Sequence, residues 1–342
     1  MPDPRIAIVG ATGAVGRVAL QVLEERRFPL SSLRVCASPR SIGKTLRFRD
    51  QVLVVEEANA ALFAECDLAF VSATTAVSRE LVPLAAAQGC VVIDDSSAFR
   101  MDADVPLVVP EINRGDVARH KGILAIPNCA TTPLVMALWP LHQVNPVKRV
   151  TVATYQSVSG TGAAAMAELD AQARAVLDGR APTVEQYPHQ IAFNVLPQVD
   201  AFLEGGYTVE EQKMLDETRK IMHAPEIAVS ATCVRVPVAV SHSEAVHVEL
   251  ERPMGPDEAR ALLSSFPGVV VVDDPASSSY PMPVDATGKD DVFVGRIRAD
   301  SSNEGGLAMW VVSDNLRKGA ATNAIQIAEE IVRRGAWLRQ PV

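Results

Sequence analysis

Residues 127–132 read Pro-Asn-Cys-Ala-Thr-Thr, and Cys129 is the side chain in this sequence best placed for covalent chemistry. An apolar, strand-like run from Gly122 to Ile126 stops at Pro127, and a helix-like run opens near Thr131. A thiol at such a junction meets free backbone N–H groups and the positive end of a helix dipole, both of which favour the thiolate. A thiolate can attack an acyl carbon and hold it as a thioester. The competing reading is a buried core cysteine, the commoner fate of a lone thiol. The choice falls to the groups that accompany it.

Arg235 sits late in the apolar run Val234-Arg-Val-Pro237. A charge there needs a partner, either a structural carboxylate or the carboxylate of a ligand gripped in two hydrogen bonds, and the pattern leaves both open. His242, between Ser241 and Ser243 with Glu244 next, stands at a strand entry and suits acid/base work. His120, His142, His189, His223 and His247 have no comparable setting and read as surface or core residues. Tyr155-Gln-Ser-Val-Ser-Gly-Thr-Gly162 ends a strand and enters a helix, so it presents N–H groups and the Gln156 amide to a ligand, or caps the helix. Arg100, closing Asp94-Asp-Ser-Ser-Ala-Phe-Arg100, and Lys213 each suit an anion. Lys213 follows Glu210 by one turn, and an i, i+3 surface pair is the preferred reading of those two.

Gly10, Gly13 and Gly16 follow the apolar run Arg5–Val9 and open a helix-like run from Ala14 to Glu25. In that context glycine lets the backbone approach a pyrophosphate at a helix N-terminus. After the next strand, Leu33–Ala37, a site selective for NAD would place a carboxylate for the ribose hydroxyl; here stand Ser38, Pro39, Arg40 and Ser41. A guanidinium with two hydroxyls suits a 2′-phosphate, so NADP is expected over NAD.

Further strands are expected at Leu68–Val71 and Val91–Asp94, with a helix from Val77 to Gln88 between them. This alternation predicts an α/β domain with a doubly wound parallel sheet. After Cys129 the pattern changes. Arg149–Tyr155, Ala228–Val236, Ala245–Leu250, Val269–Val272, Val292–Arg298 and Leu307–Val312 read as strands, several without an intervening helix, and helices are expected at Ala163–Leu177 and Val209–Met222. That predicts a second, α+β domain with a mostly antiparallel sheet. A long alanine-rich helix from Asn315 to Arg334 is expected to pack back on the first domain. The expected boundaries are 1–128, 129–314 and 315–342.

A length of 342 residues accommodates two full cores, and 48% hydrophobic with 21% charged residues describes a globular protein. Net charge −9 without a Lys/Arg block argues against a nucleic-acid partner, and no apolar run reaches membrane-spanning length. The five cysteines are scattered without CxxC spacing, and no basic and apolar leader precedes Arg5. A cytoplasmic protein without disulfides or a metal site is expected.

Taken together, the sequence resembles the aspartate-semialdehyde dehydrogenase family from end to end. The resemblance is carried by Gly10–Gly16, Ser96–Arg100 with Val109-Pro-Glu-Ile112, Asn128-Cys129, Gln156–Gly162, Ala192-Phe-Asn-Val-Leu-Pro197, Ser230–Pro237, His242-Ser-Glu244, Val294-Gly-Arg-Ile-Arg298 and Val312-Ser-Asp-Asn-Leu316. It implies a Rossmann-type domain plus a catalytic and dimerisation domain, in a homodimer or homotetramer. The implied reaction is the NADPH-dependent reduction of 4-phospho-L-aspartate to L-aspartate 4-semialdehyde, feeding lysine, methionine and threonine biosynthesis. It implies roles for single residues: Cys129 as acyl-thioester nucleophile, His242 as general acid/base, Gln156 orienting the acyl group, Arg235 on the α-carboxylate and Glu210 on the α-amino group. Arg100, Asn128 and Lys213 would bind phosphate. Thr12, Gly13, Ala14, Val15, Arg40, Ser41, Ser159, Gly160 and Asn315 would contact the cofactor. Asp95, Thr74 and Thr75 depart from the family's pattern near the cofactor. The nearest rival is N-acetyl-glutamyl-phosphate reductase, whose acetylated substrate offers no charged amine to Glu210. A glyceraldehyde-3-phosphate dehydrogenase would carry Ser rather than Asn before the cysteine. A non-catalytic scaffold would be expected to lack the cysteine, whereas Cys129, Gln156, Arg235 and His242 are all present.

Overall fold

The computed structural model describes residues 3–337. Of these, residues 3–128 with 320–337 form one compact unit, and Cys129–Gly319 forms the other.

In the first unit β1 (Arg5–Val9) leads through the glycine loop into α1 (Ala14–Glu25), then β2 (Ser32–Cys36), β3 (Thr45–Phe48), β4 (Gln51–Glu56), α2 (Ala60–Ala64), β5 (Leu68–Val71), α3 (Thr75–Ala87), β6 (Val91–Asp94), α4 (Pro110–Asn113) and β7 (Ile123–Ala125). The sheet order is β3-β4-β2-β1-β5-β6-β7, parallel except for the β3/β4 hairpin. Order reverses at β1, so the glycine loop leaves the sheet at the crevice where doubly wound sheets bind ligands. Successive residues of β1 serve both faces: Ile6 and Ile8 join one apolar cluster with α1, Ala7 and Val9 the other with Phe63 and Val82. The hairpin was not expected from the sequence. Its strands alternate, with Leu46 and Phe48 buried while Val52 and Val54 face solvent, and charged residues interrupt the apolar signal.

The second unit opens with α5 (Thr131–His142) and continues through β8 (Val147–Gln156), α6 (Ala163–Leu177), α7 (Val209–Ile221), β9 (Ala228–Arg235), β10 (His242–Leu250), α8 (Pro256–Ser265), β11 (Val269–Val271), α9 (Pro283–Ala286), β12 (Val292–Ala299) and β13 (Leu307–Ser313). The order is β11-β12-β13-β10-β8-β9, antiparallel through the centre and parallel at the two outer pairs. α5 is apolar nearly all round and buried nearly all round, which makes it a core helix rather than a surface one. The opposite sheet face stays partly open, with Tyr155 39% exposed beside Trp310.

The chain then enters α10 (Thr322–Arg334), whose Ala324, Ile325, Ile327 and Ile331 pack in the cluster shared with α1. Residues Arg317–Ala321 form a wider π-type turn, so regular helix begins at Thr322 rather than at Asn315, and Asn315–Gly319 stay with the second unit.

Candidate active site

Strand register brings three of the candidate side chains together. Gln156 on β8 pairs with Arg235 on β9. Ser243 on β10 faces Tyr155, which sets His242 level with Gln156. Aligned residues share a face of the sheet, so Arg235, Gln156 and His242 form a row across three strands. All three are buried.

His242 Nε2 lies 3.2 Å from Cys129 Sγ. Cys129 is partly exposed, whereas Cys36, Cys66, Cys90 and Cys233 are buried. Cys129 precedes α5 by two residues, so the thiol stands at a helix N-terminus. Gly319 packs closely here: a Cβ on it would lie 3.1 Å from the Cys129 Cβ. Nothing in the sequence flags Gly319, since its neighbour is distant in the chain. Burial and the Arg235 guanidinium push His242 well below its ordinary value, with the Ser241 backbone pulling the other way, so the ring is neutral at pH 7.

Arg235 Nη1 donates to the Ser157 carbonyl at 2.7 Å, and no Asp or Glu pairs with it among the described residues. The choice left open by the sequence is thereby narrowed: no structural carboxylate neutralises this buried cation. A Cβ on Gly160 would lie 3.0 Å from Arg235 Nη1 and 3.4 Å from His242 Nε2, so glycine keeps the space between them.

Glu210 and Lys213 are not a solvated surface pair. A capping box between Thr208 and Glu211 fixes the start of α7, and Glu211 also accepts the Cys233 N–H at 2.9 Å, which ties α7 to β9. Glu210 is thereby held buried; it accepts from Gln156 Nε2 at 3.2 Å and from Lys213 Nζ at 3.2 Å. Lys213 also donates to Asp200 at 2.8 Å. Asn315 Oδ1 accepts from Ser157 Oγ, Ser159 Oγ and the Ser241 N–H, at 3.1, 3.1 and 2.9 Å. The sequence assigns no role to Ser157, inside the segment Gln156–Gly162, or to Ser241, which flanks His242.

Glu244 occupies the next row, level with Thr154. It is fully buried, and neither carboxyl oxygen has a hydrogen-bond partner. Desolvation pushes the carboxyl well above 4.5. A folded-state value raised above the unfolded one means that the folded protein holds the extra proton. Stability is therefore full below 4.5 and declines as pH rises toward the folded value. Glu244→Leu is expected to raise the unfolding free energy by roughly 1–3 kcal/mol at pH 8 and by less at pH 5, in urea melts. Equal gains at the two pH values would show that the carboxyl is not protonated in the folded state.

In the first unit Gly10 (φ +84) makes the turn after β1, where any Cβ would strike the Ser72 carbonyl at 2.0 Å. Gly16 packs as tightly, its Cβ position 2.3 Å from the Gly10 carbonyl. No side chain caps α1, leaving the N–H groups of Ala14, Val15 and Gly16 for an anion. Ser38, Arg40 and Ser41 form a short turn after β2. Thr12 Oγ1 lies 3.5 Å and Lys44 Nζ 3.3 Å from Ser41 Oγ. Lys44 thus joins the turn, unforeseen because it lies beyond it in sequence. Residues 37–45 contain no Asp or Glu. A glycine cradle, an uncapped helix and a cationic turn fit a dinucleotide.

Arg100 is also in this unit, buried, its Nη2 on the Asp95 carbonyl at 2.7 Å. Desolvation raises the Asp95 carboxyl while Arg100 opposes it, and Ser72 Oγ donates to it at 2.8 Å. Thr74 caps α3 and Thr75 meets Ser97, so those two departures have structural duties. Asn128 is buried and immediately precedes Cys129. Among the described residues no His, Cys, Asp or Glu cluster is arranged for a metal, and no helix is long and apolar enough to cross a membrane.

Residues 5–120 match the family described as semialdehyde dehydrogenase, NAD binding domain, and residues 138–318 match semialdehyde dehydrogenase, dimerisation domain. The chain is 54% identical to the aspartate-semialdehyde dehydrogenase of Aquifex aeolicus, over 97% of this chain and 98% of that one. It is 55% identical to that of Legionella pneumophila, over 96% and 95%. Among solved structures, aspartate semialdehyde dehydrogenase II complexed with ASA, from Vibrio cholerae, is similar with a TM-score of 0.95 and 45% identity, covering 97% of this chain and 99% of that one. A nicotinamide-cofactor domain, a dimerisation domain and a thiol–imidazole pair in one chain, with these identities over nearly its whole length, establish that it belongs to the aspartate-semialdehyde dehydrogenase family.

Proposed function

We propose that the protein catalyses the NADPH-dependent reductive dephosphorylation of 4-phospho-L-aspartate to L-aspartate 4-semialdehyde, with Cys129 as nucleophile. The observation that carries the substrate is Arg235, a buried cation that no carboxylate pairs with among the described residues, in one row with the imidazole that touches the thiol. Cys129 attacks the acyl carbon, the C–O bond to phosphate breaks, and a thioester forms. Gln156 orients the acyl group, Arg235 grips the α-carboxylate and Glu210 meets the α-amino group. Arg100, Asn128 and Lys213 bind the phosphate. Gly10, Thr12, Gly13, Ala14, Val15, Ser38, Arg40, Ser41, Ser159, Gly160 and Asn315 hold the cofactor, which supplies a hydride when bound. In the reverse direction His242 accepts the hydroxyl proton of the thiohemiacetal on Cys129. NADP is preferred over NAD because Arg40 and Lys44 offer charge to a 2′-phosphate and no carboxylate repels it.

On a chain of net charge −9, recognition of a dianionic substrate depends on these local cations. Arg235→Lys loses the two-pronged geometry and is expected to lower kcat/KM by roughly 2–4 kcal/mol. A steady-state assay showing a parental kcat/KM would remove Arg235 from the site.

The open sheet face at Tyr155 and Trp310 supports assembly as a homodimer or homotetramer, and the free cysteines support a cytoplasmic setting. The test of the reaction is NADPH formation from aspartate semialdehyde, NADP⁺ and inorganic phosphate, with NAD⁺ alongside. Phosphate-dependent turnover is expected. A folded, NADP-binding protein that turns over only the N-acetyl-glutamyl substrate would overturn the assignment.

A further inference from the structure

His242 Nδ1 has two close neighbours, and both belong to Ser157. The Ser157 N–H donates to it at 3.0 Å, and Ser157 Oγ lies 3.0 Å away. The two are opposite kinds of partner. An N–H needs a lone pair on Nδ1, which exists only while the neutral ring carries its proton on Nε2. The hydroxyl has one proton, and that proton is directed to Asn315 Oδ1 at 3.1 Å, an atom that only accepts. Ser159 Oγ, also 3.1 Å from Ser157 Oγ, sends its own proton to the same oxygen, as does the Ser241 N–H. With its proton so committed, Ser157 Oγ turns a lone pair toward Nδ1.

We propose that Ser157 is a positioning residue for His242, its Oγ accepting a hydrogen bond from Nδ1–H whenever the ring works as a base at Nε2. The inference rests on His242 being the proton-transfer group of the proposed reaction. A base at Nε2 needs its lone pair there, so the ring proton must sit on Nδ1 and find an acceptor. During the transfer the thiohemiacetal hydroxyl proton arrives at Nε2 and the ring becomes imidazolium. Nδ1–H stays bonded to Ser157 Oγ, and no proton passes to serine. Between those moments the Ser157 N–H holds the Nε2–H form, with that proton toward Cys129 Sγ. One residue thus serves both states of one nitrogen, and Asn315 fixes which way its hydroxyl points.

The charges that face the ring do not supply this acceptor. Arg235 from β9 is cationic and disfavours the imidazolium. Cys129, ahead of α5, faces Nε2 rather than Nδ1. On β8 the level residue is Gln156, and on β13 it is Ser313, neither ionisable. Glu210 of α7 accepts from Gln156 and Lys213, Lys213 donates also to Asp200, and Glu244 on β10 lies one row away.

Ser157→Ala removes the acceptor and keeps the N–H. It is expected to lower kcat about tenfold, less than the loss attached to the proton-transfer group itself, with KM for the semialdehyde little changed. The acidic limb of the pH–rate profile, and the midpoint at which the labelled His242 ring titrates by ¹⁵N NMR, are expected to fall by about half to one pH unit, the scale of one net hydrogen bond. Ser157→Thr, which keeps the hydroxyl, is expected to restore both. A ring titration in Ser157→Ala identical to the parent's would overturn the proposal even if kcat falls, because a packing role moves the rate and not the midpoint. The ring titration needs no turnover, so a parent protein that fails to oxidise the semialdehyde would sink the substrate while Ser157 is still judged by the NMR.

Discussion

Cys129→Ala is expected to abolish phosphate-dependent NADPH formation while leaving NADP binding intact. No other thiol can stand in. Cys36, Cys66, Cys90 and Cys233 are buried, and burial holds the Cys36 thiol at about 12 and the Cys66 thiol at about 11. Cys129 alone is partly exposed with an imidazole at its sulfur. Losing the nucleophile of a covalent route typically costs on the order of 10⁴-fold or more in kcat. Most of the proposed cofactor contacts, the glycine loop and the Ser38–Ser41 turn among them, lie in the other unit and none is the thiol, so a fluorescence titration with NADP⁺ is expected to give the parental affinity. Turnover within tenfold of the parent would remove the thioester from the mechanism.

His242→Asn carries the second largest effect, a loss of about 10²–10⁴ in kcat. Asparagine fills similar space but cannot take a proton. The parent's imidazole is pushed well below 6.5, so it is a ready base at neutral pH and its rate limb belongs on the acid side of that value. In the variant that limb disappears from the pH–rate profile. The stability linkage has the matching sign. A folded imidazole with a lowered value binds fewer protons than the unfolded one, so the parent loses stability as pH falls through 6.5 and the variant loses less. A loss smaller than tenfold with the acid limb retained would make His242 a positioning group only.

The order of the chemistry-bearing residues and the two-part architecture were legible because their signals are local. An apolar run ending in glycines, or a thiol between a strand and a helix, announces itself within ten residues or so. What escaped was tertiary. Nothing in residues 156, 235 and 242 taken separately says that they stand level, because register depends on which strands pair. Glu210 and Lys213 have the spacing of a solvated pair, and the docking of α7 on β9 through Glu211 buries Glu210 and partly buries Lys213. The β3/β4 hairpin is a half-exposed edge feature of two short strands with few buried apolar residues, which gives only a weak signal. The segment before α10 looked helical because its composition is helical, yet a π-type turn occupies Arg317–Ala321, and Gly319 lies against Cys129.

Arg235 and His242 stand on β9 and β10 with β8 between them. Strands in a sheet lie about 4.8 Å apart, a pitch fixed by backbone hydrogen bonds rather than by side chains. Under the proposed reaction the sheet is therefore a ruler. Its graduations separate the anchor for a carboxylate from the group that serves the reacting carbonyl, and a substrate longer by one methylene overshoots the mark. Exchanging side chains along the row changes what is gripped without changing the length that is measured. Resetting the length means sliding a strand, and a slip of one residue turns its side chains to the opposite face.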